Sequence, residues 1–587
     1  MAAVNYRHGA IPADDGKVTF SLWAPSAREV TLLLDDGSSH PMQADTEGWY
    51  RLSLGCGAGC GYRYLIDSET EVPDPASRYQ PDGIAGYASV VDPALYAWRN
   101  PEWKGRPWHE TVLYELHIGL LGGYAGVGQR LPELARLGVT AIELMPLGEF
   151  PGERNWGYDG VLPFAPQSSY GSPDELRQLI DRAHELGLMV FVDVVYNHFG
   201  PDGNYLSQYA SQFFREDITT PWGASIDFRR PEVRDFFCEN ALMWVVDYRV
   251  DGLRLDAVHA ISEKDFLVEL AERVRAAVPT DRHVHLVLEN EDNDAYLLPR
   301  HFDAQWNDDA HNVLHVLLTG ETESYYSDYA EEPTGKLARC LAEGFVYQGE
   351  ANRHGRSRGE ASSHLPSSAF VVFLQNHDQT GNRAMGERLI TLADERALKA
   401  ATALLLLSPM VPLLFMGEEW GCRDPFLFFT DHNPELGEAV RKGRRDEFSE
   451  FSSFADPTVR EQIPDPNASE TFARSVPDWA ARSEPMHEQW LNYYRHLLEL
   501  RHQFIIPRLL GSQSLGCRTL GDKAVAAAWR LGDGSLLYID MNLSSEPVPV
   551  EERNGAQPLF QYGLNLCGKG HSVLPPYSIF ICMDLTK

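Results

Sequence analysis

Eight short, almost wholly apolar runs recur through the middle of this chain, most of them closing on a polar residue, and they leave few folds open. They are VLYELHIG (112–119), VTAIELMPL (139–147), LMVFVDVVYNH (188–198), VDGLRLDAV (250–258), HVHLVLEN (283–290), FDAQWND (302–308), AFVVFLQNH (369–377) and VPLLFMGEE (411–419). Runs of this kind suit strands buried on both faces, as in a parallel sheet covered by helices. The stretches between them read as helices. In SPDELRQLIDRAHELG (172–187), Ser172 can cap the N-terminus, Pro173 fits the first turn and Glu175 completes a capping box. Leu176, Leu179, Ile180, Ala183 and Leu186 form one apolar stripe, and Gly187 ends the helix. Eight such strands alternating with helices predict an α/β protein built on a closed (β/α)8 TIM barrel, whose chemistry sits at the C-terminal ends of the strands. Asn197, His198, Asp256, Glu289, Asp308, Asp378 and Glu418 fall at those ends.

The flanks follow other patterns. KVTFSLWAP, EVTLLLDDG and WYRLSLG, within residues 17–67, alternate or run apolar between Gly, Pro and Asp turns, which predicts a small β-sandwich. VPDPASRYQPDG (72–83) reads as an extended linker. After a last helix near 486–503, the segments VAAAWRL, SLLYIDMN and SIFICMD return to β and predict a C-terminal antiparallel domain. The expected division is residues 1–95 for the sandwich and linker, 96–507 for the barrel and 508–587 for the C-terminal domain. A small excursion over the barrel mouth is expected near 199–229.

Formal net charge is −33, which argues against nucleic acid or an anionic membrane as partner and leaves a neutral substrate open. The longest apolar run, ATALLLLSPMVPLLFM (401–416), is too short to cross a bilayer and reads as a helix end followed by a buried strand. MAAVNYRHGAIPADDG, at the N-terminus, lacks the apolar core of a signal peptide. Of eight cysteines only Cys56 and Cys60 lie close, and CGAGC has no second pair with which to hold zinc. Reduced, mostly buried thiols in a cytoplasmic protein are expected.

Within VDGLRLDAV, Leu253 and Leu255 suit a core, while Arg254 and Asp256 share the other face and point together. With Glu289 after the fifth run and Asp378 after the seventh, three carboxylates should converge on one cavity. Neighbouring parallel strands lie about 4.7–4.9 Å apart. Asp256 and Glu289 should therefore approach within roughly 5–6 Å, the spacing of retaining rather than inverting glycosidases. Asp256 is then the expected nucleophile, kept ionised by Arg254, and Glu289 the expected acid/base, its pKa raised by burial and a neighbouring anion. Asp378 would stabilise the oxocarbenium-like charge. His198 and His377, each in an Asn-His pair, could bind sugar hydroxyls as neutral imidazoles, and Tyr158 in NWGYDG could stack on a ring.

DVVYNH (193–198), GLRLDAVH (252–259), LEN around Glu289 and FLQNHD (373–378) resemble the four short motifs of the α-amylase family, in order and at the expected strand ends. The resemblance spans nearly the whole chain, with the sandwich resembling a carbohydrate-binding module. It implies a retaining α-glucan enzyme with those same roles for Asp256, Glu289 and Asp378. LQNHDQTGNR (374–383), PDPASRYQPDG (73–83), YELHIG (114–119), LFMGEEW (414–420), FFTDHNPEL (428–436) and TFARSVPDW (471–479) are similar to one branch of that family. Its members cleave the α-1,4 bond joining a maltooligosyl chain to a terminal trehalose. The resemblance places Arg254 to His259, Trp306 to His311 and His377 to Asn382 along the substrate cleft. Arg254, His259, Asp308, Asp309, His311 and Gln379 thereby join Tyr158, His198 and His377 as candidate substrate-binding residues. Gln379 and Arg383 are candidates for specificity within the branch. In GLLGGYAGVG (119–128) the chain lacks the family's usual Thr-Phe-Thr-like segment, and no contact is carried over there. Some amylases hold calcium near the position of Asn197, but no convergent set of carboxylates is visible. No required metal and no cofactor are expected. The alternatives are a branching or debranching enzyme, against which NHDQTGNR argues, and an inactive glucan-binding barrel, against which the complete carboxylate trio argues.

Overall fold

The computed structural model describes residues 4–13, 15–220, 223–551, 553, 555–564 and 572–585. At its centre eight parallel strands close into a barrel in sequence order: β1 (Leu113–Leu116), β2 (Ala141–Leu144), β3 (Met189–Val194), β4 (Gly252–Leu255), β5 (His285–Leu288), β6 (Ala304–Trp306), β7 (Phe370–Phe373) and β8 (Val411–Phe415). Each of the eight apolar runs supplies one strand. Alternation along the strands sorts their residues between two cores. Leu113, Ala141, Phe191, Val287, Ala304, Val371 and Leu413 pack together in one, against Trp103 and Trp108. Leu253 and Leu255 belong to the larger core shared with the helices. Gly252 opens β4 because a Cβ there would lie 2.1 Å from the Phe191 ring. Arg254 follows on that inward face, in register with Asp193 of β3.

The helix Pro173–Glu185 carries the expected Ser172–Glu175 capping box, with Leu186 as its C-cap and Gly187 beyond at φ +75°. Residues 401–416 divide into the end of the helix Glu395–Leu407 and β8. The glycine-rich 119–128 segment forms one turn, Gly119–Leu121, and then starts the helix Gly123–Leu137.

Ahead of the barrel stand two antiparallel sheets. One holds Gly9–Pro12, Val18–Trp23, Trp49–Leu54 and Gln43–Ala44; the other holds Ser39–Pro41, Val30–Leu34, Gly61–Ile66, Thr70–Val72 and Ala88–Ser89. The expected linker VPDPASRYQPDG is a packed strap rather than an exposed tether. Asp74, Ser77 and Gln80 are buried. Tyr62 donates to Asp74 at 2.7 Å. Arg78 lies over the rings of Tyr6 and Phe164 at 4.6 and 4.5 Å, tying sandwich to barrel. The 199–229 excursion contains a short helix, Leu206–Tyr209, and a hairpin, Phe214–Thr220 with Gly223–Ile226. It leans on the sandwich, where Ser26 N donates to Tyr209 O at 2.9 Å and Trp23 meets Phe213 at 5.5 Å. At the other end of the chain, Gln513–Gly521, Ala524–Arg530, Leu536–Asn542, Ser578–Asp584 and Gln557–Tyr562 form one antiparallel sheet in that order.

Among the described residues, Cys56, Cys60, Cys238, Cys340, Cys422, Cys517 and Cys582 are free thiols, and no helix is long and apolar enough to cross a membrane. Cys567, and Met1–Ala3 of the N-terminal segment, lie outside the described residues.

Candidate active site

Asp256 follows β4, Glu289 follows β5, and Asp378 lies in the short helix His377–Gly381 after β7. All three line one hollow of about 530 Å³, together with Tyr158, His198, His259 and His377. A second hollow of about 400 Å³ shares Glu289, Asp378 and Asn382 with the first and adds Asp308, Gln379 and Arg358. Glu289 and Asp378 thus stand where the two halves of one cleft meet.

Arg254 explains the charges on an otherwise apolar strand. Its side chain is wholly buried, and Nη1 donates to Asp193 Oδ2 and to Asp256 Oδ1, each at 2.7 Å. Nη2 lies 4.0 Å from Glu289 Oε2, and the guanidinium sits over the Trp306 ring at 4.2 Å. One buried cation therefore joins three carboxylates from three adjacent strands. Its assignment as a substrate-binding residue is corrected: Arg254 lies beneath the cleft surface and organises the acids. Asn197 Nδ2 donates to Asp256 Oδ2 at 3.0 Å. Ala257, at φ +42°, donates its backbone N–H to Glu289 Oε2 at 2.6 Å.

The environment sets the protonation of the acids. Burial pushes Glu289 upward from the ordinary carboxylate range; Asp256 and Asp378 reinforce the rise, while Arg254 and His259 oppose it. Burial, together with Glu289 and Asp378, raises Asp308 to about 8. Burial also raises Asp193 to about 7 against the pull of Arg254, and Tyr158 OH donates to Asp193 Oδ2 at 2.6 Å.

The histidines of the two Asn-His pairs differ. Burial lowers His198 against the pull of Asp256 and Asp159, and its Nε2 lies 2.9 Å from Tyr158 O. His377 corrects the expectation of a neutral imidazole. Burial alone would lower it, but Glu115 and Asp378 outweigh burial and raise it to about 9. The Tyr158 ring stacks on His377 at 5.0 Å while lining the first hollow.

Other candidates are scattered more widely. His259 lines the first hollow, and Asp308 and Gln379 line the second, where Gln379 Nε2 donates to Asp308 Oδ1 at 3.4 Å. Asp309 and His311 line neither. Asp309 is wholly buried and accepts from Asn293, Tyr329 and the backbone of Val346 and Tyr347, which ties down the loop after β6. His311 is buried against Phe373. Arg383 is paired with Glu321 at 2.7 and 3.0 Å and lines a third hollow of about 300 Å³, which touches the cleft at Asn382. Glu418 is buried behind β8, accepting from Tyr494 at 2.8 Å.

Several lining residues escaped the sequence reading. Trp156 and Asp159 flank Tyr158 in NWGYDG and could have been read with it. Glu291, Arg358 and Phe428 come from connections without periodicity, and Arg444 and Glu447 from the helix Pro434–Glu447. Asn197 is committed at both ends of its amide, to Asp256 and to His198, which does not suit a cation ligand. Among the described residues no group of three or more His, Cys, Asp or Glu is arranged to hold a metal.

An eight-stranded barrel with an acid trio at its strand ends defines a glycoside hydrolase of the α-amylase class. Family comparison agrees. The α-amylase catalytic domain matches residues 104–220, carbohydrate-binding module 48 (isoamylase N-terminal domain) matches 7–81, and a domain of unknown function matches 512–581. A crystal structure of an α-amylase-like protein from Salmonella typhimurium superposes with TM-score 0.93 at 42% identity, covering 99% of this chain and 100% of its own. The pullulanase of Anoxybacillus sp. LM18-11 shares the fold at TM-score 0.74 and 18% identity, over 99% of this chain and 88% of its own. Among curated relatives, the malto-oligosyltrehalose trehalohydrolase of Deinococcus radiodurans is 42% identical over 85% of this chain and 83% of its own. That of Rhizobium sp. (strain M-11) is 38% identical over 97% and 98%. The chain belongs to the malto-oligosyltrehalose trehalohydrolase family.

Proposed function

We propose that the protein hydrolyses the α-1,4 bond between the maltooligosyl chain and the terminal trehalose of maltooligosyltrehalose, releasing trehalose. The observation that carries the chemistry is the single guanidinium of Arg254, bonded to Asp256 at 2.7 Å and 4.0 Å from Glu289 at one rim. Asp256 attacks the anomeric carbon while Glu289, protonated because burial raises it, gives its proton to the departing glycosidic oxygen. That step leaves a glycosyl ester on Asp256 and free trehalose. Glu289, now ionised, takes a proton from water, whose oxygen displaces Asp256 and restores the α configuration. Asp378, held by Asn382 Nδ2 at 3.0 Å, faces the positive charge that develops on the ring. Tyr158, His198, His259, Asp308 and Gln379 bind the sugars, and the enzyme works in the cytoplasm. The three domains divide at about residues 95 and 507.

The test is a side-by-side digestion of maltooligosyltrehalose and a maltooligosaccharide of equal length, with products separated and the first-formed anomer read by NMR. Free trehalose and an α-anomeric maltooligosaccharide are expected. A branched product, or a β-anomer formed first, would refute the assignment.

A further inference from the structure

Glu115, in β1, has no part in the three roles above, yet it is among the most completely enclosed acids beside the cleft. One of its oxygens accepts from the backbone N–H of His377 at 2.9 Å, and the other pairs with His377 Nδ1 at 2.5 Å. Both side chains are 1% exposed. The ring cannot turn away, because Tyr158 stacks on its face at 5.0 Å and Trp156 meets it edge-on at 5.5 Å. Nδ1 therefore points its hydrogen at Glu115. Nε2 is left on the wall of the carboxylate hollow, 3.6 Å from Asp378 Oδ1. Asp193 of β3 favours a proton on the ring, whereas Arg254 of β4 and the neighbouring His117 oppose it. Glu143 of β2 also faces the ring, but burial keeps it protonated and uncharged. An imidazole bracketed by two carboxylates carries hydrogen on both nitrogens and acts as a donor at Nε2.

We propose that Glu115 is a positioning residue of the hydrolysis: by gripping His377 at its backbone N–H and at Nδ1, it presents Nε2–H to the sugar held beside Asp378. A donor locked in place before substrate arrives needs no reorganisation when charge develops. A sugar oxygen there meets N–H, not a lone pair. The inference rests on the hydrolytic assignment given above, so its test includes one readout that needs no turnover.

That readout is the NMR titration of histidine-labelled protein, with the His377 signal assigned by its loss in His377→Asn. In the wild-type protein His377 is expected to titrate near 9, and in Glu115→Gln at least one pH unit lower. At pH 7 the kcat of Glu115→Gln should fall roughly 10²-fold, with KM changed far less. In a His377→Asn background the same substitution should add no further loss, because the two residues act as one unit. Glu115→Asp keeps the charge but is too short for both contacts. It should leave the titration near 9 and still lose kcat. An unchanged titration in Glu115→Gln, multiplying losses in the double variant, or full kcat in Glu115→Asp would each overturn the proposal. Lack of wild-type turnover would fall instead on the hydrolytic assignment.

Discussion

Asp308→Asn should make the protein more stable at neutral pH while leaving its activity nearly intact. Asp308 opens the helix Asp308–Thr319 after β6 and lines the second hollow. Burial and the nearby Glu289 and Asp378 raise its carboxyl to about 8. A carboxyl with a raised folded pKa binds its proton more tightly in the folded chain than in the unfolded one. Its contribution is therefore neutral below the unfolded value of 3.8 and becomes destabilising as pH climbs from there to about 8. By pH 7 roughly three pH units of that interval have passed, at about 1.4 kcal/mol each, so the penalty approaches about 4 kcal/mol. Asparagine is neutral, nearly isosteric with the protonated acid, and does not titrate. Its Oδ1 can still accept from Gln379 Nε2, now at 3.4 Å. Urea unfolding of both proteins should show a stability gap that widens from pH 4 to about 8 and then levels. At pH 6 kcat/KM of Asp308→Asn should stay within about threefold of wild type. Asp308→Ala, which loses the hydrogen bond outright, should fall about 10- to 100-fold. A gap that does not change with pH would refute the claim that Asp308 is held protonated.

Arg254→Lys keeps the charge but loses the guanidinium plane over Trp306 and the second nitrogen beside Glu289, so the acids are no longer held from one rigid group and kcat should drop about 10²–10³-fold. In the proposed mechanism Glu289 acts in its protonated form, and burial raises its pKa, so the first chemical step should proceed below that pKa and fade as pH rises through it. Glu289→Gln should abolish this basic limb in the pH profile of kcat/KM, and an unaltered limb would assign it to another group. Far from the cleft, Ser172→Ala removes one side of the capping box and should lower stability by about 1 kcal/mol in urea, with kcat unchanged.

How much of this could be read in advance follows from which periodicity governs each segment. The barrel was legible because strands buried on both faces leave near-continuous apolar runs, and each of the eight runs became a strand. The acid trio was legible because alternation places Arg254 and Asp256 on one face and parallel topology brings the strand ends together. The same reasoning failed one strand later. Asn307 caps a helix by accepting from Ala310 N, so successive residues turn by about 100° instead of staying at the rim. Asp308 therefore faces the cleft, whereas Asp309 turns into the protein to anchor the loop and His311 packs on Phe373. The charge on His377 was illegible for another reason. Its neighbours in the Asn-His pair say nothing about it; Glu115, which sets it, lies 262 residues away in sequence and meets it only when β1 and β7 close into one barrel. Barrel closure thus does more than gather carboxylates at one rim. It also fixes the protonation of a group whose local sequence is compatible with either state, so a variant that preserved every cleft residue but altered β1 would still change the chemistry of the site.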